Sequence, residues 1–238
     1  MRILYLLQVI LLISCQSAPS GTSKGVEEEP RDSSAFKQTI LLFPEKGSES
    51  QKLILSISLP EITGGKAVED LVNAALYEGD APQAYVDKIH SSYKEQYEAI
   101  KAIAGDSESA NWYYTEEIQV LTETAVGPLN KPLLQIKRRI EAYTGGAHPS
   151  HNTQFYVFDT QNARRLSIED VVQDVEALTQ VAEAALVDKH LESLPDNFFL
   201  TEQGIGFHWN EYEIASYSEG EIEIVVSYDA IENLEILK

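Results

Sequence analysis

Residues 133–159 have the sequence LLQIKRRIEAYTGGAHPSHNTQFYVFD, which combines two strand patterns with a glycine-containing connection. Over Leu133–Tyr143 apolar and polar side chains alternate, as in a strand with one buried face. The apolar side carries Leu134, Ile136, Ile140 and Ala142, and the polar side carries Gln135, Lys137, Arg139 and Glu141. Arg138 falls on the apolar side, which predicts a position near the edge of the sheet. Thr153–Asp159 is predicted as the next strand.

The flanking sequence predicts further strands and helices in an irregular order. Strands are predicted over 53–59, 112–124, 206–214 and 221–227, with a short apolar run over 39–43. Helices are predicted over 66–77, 83–103, 168–174 and 176–191. The order is not a regular βαβ alternation, so it predicts an α+β fold, a mainly antiparallel sheet with helices packed against it. The tyrosines at helical spacing in the second helix favour packing on that sheet over a ligand platform.

The first 35 residues differ in character from the rest. Arg2 and an apolar run precede Leu12-Ile13-Ser14-Cys15, an arrangement similar to the lipobox of bacterial lipoproteins. Residues 1–14 are therefore predicted to be a lipoprotein signal peptide and Cys15 the lipidation site, where two or three acyl chains would anchor the protein. Residues 15–35 are rich in Ser, Gly, Pro and Glu and predict a flexible tether.

Composition narrows the functional classes. The net charge is −20, which disfavours nucleic acid as a partner and favours a cationic one. Cys15 is the only cysteine, so no internal disulfide is expected. His148 and His151 could begin a metal site, but no third ligand lies nearby in sequence, so no metal or cofactor is predicted. No nucleophile elbow, phosphate loop or zinc-protease motif occurs, and no catalytic residue is assigned.

Two segments carry a resemblance to a known family. The first is a loop and following strand, and the second is an aromatic-rich C-terminal segment. The residues concerned are Tyr143, Gly145, Gly146, His148, Pro149, Tyr156, Phe158, Asp159, Leu166, Asp170, Phe207, Tyr212, Glu213, Ile214, Tyr217, Gly220, Val226 and Tyr228. Residues 133–238 resemble the domain of unknown function at the C-terminal end of the anti-sigma factor RsiV. Residues 36–132 resemble, more weakly, the companion domain shared by RsiV and the peptidoglycan deacetylase PdaC.

The resemblance implies an extracytoplasmic binding domain. In RsiV-like members this ectodomain binds lysozyme, a basic protein. Partner-binding candidates are Tyr143, Gly145, Gly146, His148, Pro149, Tyr212, Glu213 and Tyr217. The predicted protein is a cell-envelope lipoprotein held in the bilayer by acylated Cys15. It would lie at the outer membrane or periplasmic face of a Gram-negative cell, or otherwise on the outer face of the cytoplasmic membrane.

Three functional hypotheses follow from these observations. The first is a non-catalytic binding module for a lysozyme-like basic protein or for a cell-wall glycan such as peptidoglycan. The second is an envelope hydrolase or a deacetylase-accessory enzyme that uses His148 with Glu213 or another carboxylate. The third is a structural accessory lipoprotein. The chain lacks the sigma-binding segment of RsiV and the catalytic domain of PdaC, so neither activity is expected of it.

Overall fold

The computed structural model describes residues 37–42, 52–60, 62, 65–104, 111–129, 131–186 and 188–236. Within these ranges the protein has the α+β fold that the sequence predicts. Cys15, the predicted signal peptide 1–14 and the predicted tether 15–35 lie outside the described residues, so they remain predictions.

Six strands form one sheet in the order β1-β2-β3-β4-β5-β6. They are β1 (Lys37–Leu42), β2 (Lys52–Leu59), β3 (Asn111–Thr122), β4 (Leu133–Tyr143), β5 (Ser150–Asp159) and β6 (Arg164–Arg165). Every neighbouring pair is antiparallel except β2 and β3, which are parallel. Two helices, α1 (Lys66–Leu76) and α2 (Pro82–Ala104), connect that parallel pair, as a crossover connection must.

Both helices pack on one face of this sheet. The tyrosine stripe of α2 lies against aromatic side chains of β3: Tyr93 contacts Tyr114 with ring centroids 4.8 Å apart, and Tyr97 contacts Trp112 at 5.8 Å. The preference for sheet packing over a ligand platform is therefore confirmed. Strand β4 runs over the predicted range, and Leu134 and Ile136 are buried under the helices as its alternation requires.

A second sheet of three antiparallel strands covers part of the opposite face. Its strands are β7 (Phe198–Leu200), β8 (Gly204–Trp209) and β9 (Ile222–Ser227). Helix α3 (Val175–Ala185) packs with this sheet around a core cluster that includes Leu178, Phe207 and Ile231. At Gly204 a Cβ would lie 2.1 Å from the carbonyl oxygen of Val226, so only glycine permits this strand pairing.

Several predicted boundaries were wrong. The strand predicted over 153–159 begins at Ser150. The helix predicted over 176–191 ends at Ala185, and the one predicted over 168–174 is a 3₁₀ helix of three residues, Ile168–Asp170. The strand predicted over 206–214 starts at Gly204 and ends at Trp209, because the chain then turns. Strand β7 was not predicted, since three residues carry too little periodicity.

Two predictions about β4 side chains were also wrong. Gln135, placed on the polar side, is 2% exposed, and its side-chain amide exchanges hydrogen bonds with the backbone of Leu200 in β7. Arg138 lies in a central strand and not near an edge. A charged side chain is tolerated there because the buried carboxylate of Glu116 in β3 lies 2.8 Å away as its counter-charge. Strands β3 and β4 pair across the predicted boundary between residues 132 and 133, and the division into two domains remains a prediction.

Candidate functional site

An aromatic surface forms where the β4–β5 loop meets the segment after β8. His148 of the loop stacks on Tyr217, with ring centroids 3.7 Å apart and planes 24° apart. Tyr212 contacts both of them, with its centroid 5.9 Å from that of Tyr217 and its hydroxyl 3.5 Å from His148 Nε2. We call His148, Tyr212 and Tyr217 the aromatic platform. The two segments singled out in the sequence therefore meet in space.

The loop that carries His148 owes its shape to two glycines. Gly145 has φ +93° and Gly146 has φ +108°, in the region that favours glycine. A Cβ at either position would meet nothing within 4 Å, so the requirement is for backbone conformation and not for close contact. The Tyr143 hydroxyl donates to the Gly146 carbonyl at 2.9 Å and fastens the loop to the end of β4.

The His148 ring is oriented by its two nitrogens. Nδ1 lies 2.9 Å from the carbonyl oxygen of Pro149, and because a carbonyl oxygen only accepts, Nδ1 carries the proton. Nε2 faces the Tyr212 hydroxyl at 3.5 Å. The Tyr217 hydroxyl also donates to the Pro149 carbonyl, at 3.3 Å. Pro149 therefore anchors two platform rings at once.

Tyr212 is exposed to solvent and has an unusual backbone conformation. Its side chain is 66% exposed, the highest value among the large apolar and aromatic residues that the structure describes. Its φ is +69°, a conformation that an aromatic residue rarely adopts and that costs of order 1 kcal/mol or more. The turn is closed by Glu213, whose carboxylate accepts the Asn210 backbone N–H at 2.9 Å. The turn thus presents a tyrosine ring to solvent at a conformational cost.

A half-buried histidine, His151, links the platform to two carboxylates. His151 Nδ1 lies 2.9 Å from Glu211, and its Nε2 lies 3.8 Å from Glu141. Glu141 also accepts a hydrogen bond from the Tyr113 hydroxyl at 2.7 Å, which raises the pKa of Tyr113 to about 12. The pKa of Tyr217 is raised as well, first by desolvation and then by Glu211. This side of the platform therefore carries negative charge.

Sequence reasoning did not assign Glu141, Glu211 and Tyr113 to the site. The register of the β4–β5 hairpin, which places Glu141 opposite His151, was the signal that could have found the first of them. Glu211 approaches from the turn that follows β8, and no local pattern predicts that contact.

Glu213 does not join the platform. Its two carboxylate oxygens bond the backbone and side chain of Asn210, and no hydrogen bond or ion pair links it to His148. Within the described ranges no group of three His, Cys, Asp or Glu side chains is arranged to hold a metal ion. His148 and His151 instead both stack on Tyr217, with centroids 3.7 and 6.4 Å from it.

The described part of the chain contains no helix long and apolar enough to cross a membrane. No curated protein matches the chain. Residues 134–229 match the model of a family described as "Protein of unknown function (DUF3298)". This match confirms a domain of unknown function in the C-terminal region, whereas the relation of the N-terminal region to RsiV and PdaC remains a prediction.

Two solved structures share the fold. One is a member of the DUF3298 family from Bacteroides fragilis NCTC 9343, with a TM-score of 0.64 and 22% identity over 87% of this chain and 94% of that chain. The other is a DUF3298 family protein from Pseudomonas aeruginosa PAO1, with a TM-score of 0.55 and 17% identity over 86% of this chain and 95% of that chain. At these identities the likeness shows the fold alone. Residues 134–229 therefore carry a DUF3298 domain, within a fold that both structures share over most of their length.

Proposed function

We propose that this protein is a non-catalytic binding module of the cell envelope, anchored through acylated Cys15, and that the aromatic platform is its binding surface. The observation that carries the proposal is Tyr212: a tyrosine that is 66% exposed and held at positive φ. Core packing does not account for such a residue, because its ring faces solvent. Strained, exposed aromatic residues on an ordered support are typical of binding sites.

The platform is ordered before any ligand arrives. Tyr212 rests on Tyr217, which is stacked on His148 and bonded to Pro149. A surface of this kind loses little side-chain entropy on binding, which favours affinity. The contacts of His148 also support binding over catalysis, because its ring nitrogens face a carbonyl oxygen and a tyrosine hydroxyl and not a carboxylate.

The preferred ligand is a basic protein of the lysozyme type. Glu141 and Glu211 lie beside the platform, and the whole chain has a net charge of −20. Opposite charges speed association and align a cationic partner, most strongly at low salt. Exposed tyrosine faces also attract lysine and arginine side chains. A cell-wall glycan is the alternative ligand, and peptidoglycan fragments test it in the same assay.

Replacing Tyr212 by glycine separates binding from stability. Tyr212→Gly is expected to weaken lysozyme binding about tenfold or more, because an exposed aromatic anchor is lost. The free energy of unfolding is expected to stay unchanged or to rise by up to about 1 kcal/mol, because glycine relieves the positive φ. Calorimetric titration and thermal denaturation of the full-length protein in mild detergent measure both effects.

Leu121→Ala is the matched control, since Leu121 is 45% exposed on β3 and belongs to no part of the platform. It is expected to leave lysozyme binding unchanged. If Tyr212→Gly binds lysozyme as tightly as the wild type does, the aromatic platform is not the binding surface. If the wild type binds no lysozyme at low salt but binds peptidoglycan fragments, the glycan takes the place of the basic protein.

Cys15→Ser tests the anchor. A serine hydroxyl cannot take the thioether-linked diacylglycerol, so the chain is expected to move from the membrane fraction to the soluble fraction of the producing cells. Fractionation followed by immunoblotting measures this, with Ser14→Ala as the control because a small residue remains before Cys15. Equal membrane association of wild type and Cys15→Ser would refute the lipid anchor.

A further inference from the structure

A cleft of about 600 Å³ lies next to the platform, between the loop 190–197 and the turn 210–214. Its volume is in the range of ligand-binding sites. The turn is common to both features: Tyr212 belongs to the platform, whereas Glu213 and Ile214 line the cleft. A ligand on the platform would therefore have the cleft within reach.

The walls of the cleft combine polar and apolar side chains, and the surrounding structure holds them in place. Leu191, Leu194, Trp209 and Ile214 supply its apolar lining. Trp209 is 3% exposed and ends β8, so its position is set by the small sheet. Asn197, at the same wall, is bonded to the β5 backbone. The cleft therefore exists in the unliganded protein and does not have to be formed on binding.

The charge around this apolar lining is negative. Glu192, Asp196 and Glu213 line the cleft, and none of its lining residues is Lys or Arg. The carboxylates of Glu192 and Asp196 have no hydrogen-bond or ion-pair partner in the described part of the chain. Glu141 and Glu211, beside the platform, do have such partners. The neighbouring Lys189 does not neutralise them, because its ammonium group bonds Glu219.

We infer that this cleft binds an extended segment of a basic protein in which a lysine or arginine stands next to an apolar residue. The inference rests on the proposed function, since it adds a second contact for the same partner. Lysine and arginine carry a charged head on an apolar stem, so the stem would lie along Leu194 and Ile214 while the head meets Glu192 or Asp196. A fully apolar segment would leave both carboxylates without a partner, and an acidic one would be repelled.

The test uses an acetylated, amidated pentapeptide of alternating lysine and leucine. The chain has two tryptophans, Trp112 and Trp209, so ¹⁵N labelling gives two indole N–H signals in a proton–nitrogen NMR spectrum. The Trp209 signal is expected to shift on titration into the full-length protein in mild detergent. The Trp112 signal, buried under α2, is expected to stay in place and serves as an internal control.

Glu192→Gln combined with Asp196→Asn is expected to weaken peptide binding about fivefold to tenfold at low salt, because two charge contacts are lost. The matched control is Glu169→Gln combined with Glu176→Gln, which removes two carboxylates outside the cleft and is expected to change nothing. A pentapeptide with glutamate in place of lysine is expected not to bind. A Trp209 signal that stays still with the lysine peptide, or that responds equally to the glutamate peptide, would overturn the inference.

Failure of this inference can be told apart from failure of the platform. A protein that binds the peptide at Trp209 but binds no lysozyme would contradict the platform proposal alone. A protein whose lysozyme binding depends on Tyr212, with no movement of the Trp209 signal by peptide or lysozyme, would contradict the cleft alone. Displacement of the peptide by peptidoglycan fragments, with no binding of lysozyme, would assign the cleft to a glycan and overturn the inference.

Discussion

Glu116→Ala is expected to lower the free energy of unfolding by about 3–5 kcal/mol, because it would leave the guanidinium group of Arg138 without its counter-charge inside the fold. Glu116 is 1% exposed and lies on β3, on the face that the helices cover. Arg138 donates to it from Nε at 2.8 Å. Chemical denaturation in urea, followed by circular dichroism, measures the change.

The network around this pair explains the size of the effect. The Glu116 carboxylate also accepts hydrogen bonds from the Tyr85 hydroxyl at 3.0 Å and from the Tyr114 hydroxyl at 2.5 Å. Burial and the nearby carboxylate raise the pKa of Tyr85 to about 12, so its hydroxyl stays a donor. Removing Glu116 would leave two buried tyrosine hydroxyls and the half-buried Arg138 guanidinium without this acceptor, and each such loss costs about 1–3 kcal/mol when no water replaces the partner.

A double-mutant cycle tests whether the two charges act as one unit. Glu116→Leu alone and Arg138→Met alone are each expected to destabilise, because one leaves a guanidinium without its counter-charge and the other leaves a buried carboxylate with only tyrosine donors. Glu116→Leu combined with Arg138→Met is expected to recover a large part of the loss, since an apolar pair of similar size avoids the desolvation of both ions. Additive effects of the two single substitutions would contradict the coupling.

Glu117→Ala is the matched control on the same strand. Glu117 is exposed and points away from the helices, so its loss is expected to change stability by no more than about 0.5 kcal/mol. A similar cost at both positions would show that the strand itself, and not the buried ion pair, is sensitive to substitution.

Asn197→Ala is expected to cost about 2–4 kcal/mol, because two buried backbone groups of β5 would lose their partners. The Asn197 side-chain oxygen accepts the Phe155 N–H at 2.7 Å, and its amide nitrogen donates to the Thr153 carbonyl at 2.7 Å. Asn197 is 5% exposed, so water reaches these groups poorly once the amide is gone. The Asn197 amide therefore pairs with the backbone of β5 as a neighbouring strand would, and it links β5 to the segment that leads into the smaller sheet.

Thermal denaturation monitored by near-ultraviolet circular dichroism measures this loss, since Trp209 and Phe155 lie near the junction. Asn152→Ala is the matched control, because Asn152 is an exposed asparagine on the same strand. It is expected to stay within about 0.5 kcal/mol of the wild type. Equal stability of wild type and Asn197→Ala would mean that the Asn197 amide contributes nothing to holding β5 and the smaller sheet together.

Local patterns were sufficient for most of the main elements. The alternation in β4, the helical spacing in α1 and α2 and the glycine-containing loop at 144–149 each depend on neighbours within a few residues, so they could be predicted. The resemblance also directed attention to His148, Tyr212 and Tyr217, which the structure brings together. Their role in binding remains a prediction, as does that of Tyr143, Gly145, Gly146, Pro149 and Glu213.

The sequence by itself determined the α+β class, the strand that anchors the larger sheet and the helices that cover it, because short-range periodicity states which side of an element is apolar. Only the tertiary structure decided that Gln135 is buried, that Arg138 has a partner in a central strand, and that Glu211 reaches His151. In each of these cases the partner lies between 22 and 65 positions away along the chain. A polar residue becomes part of a core when a distant group satisfies it, and no local pattern encodes that group.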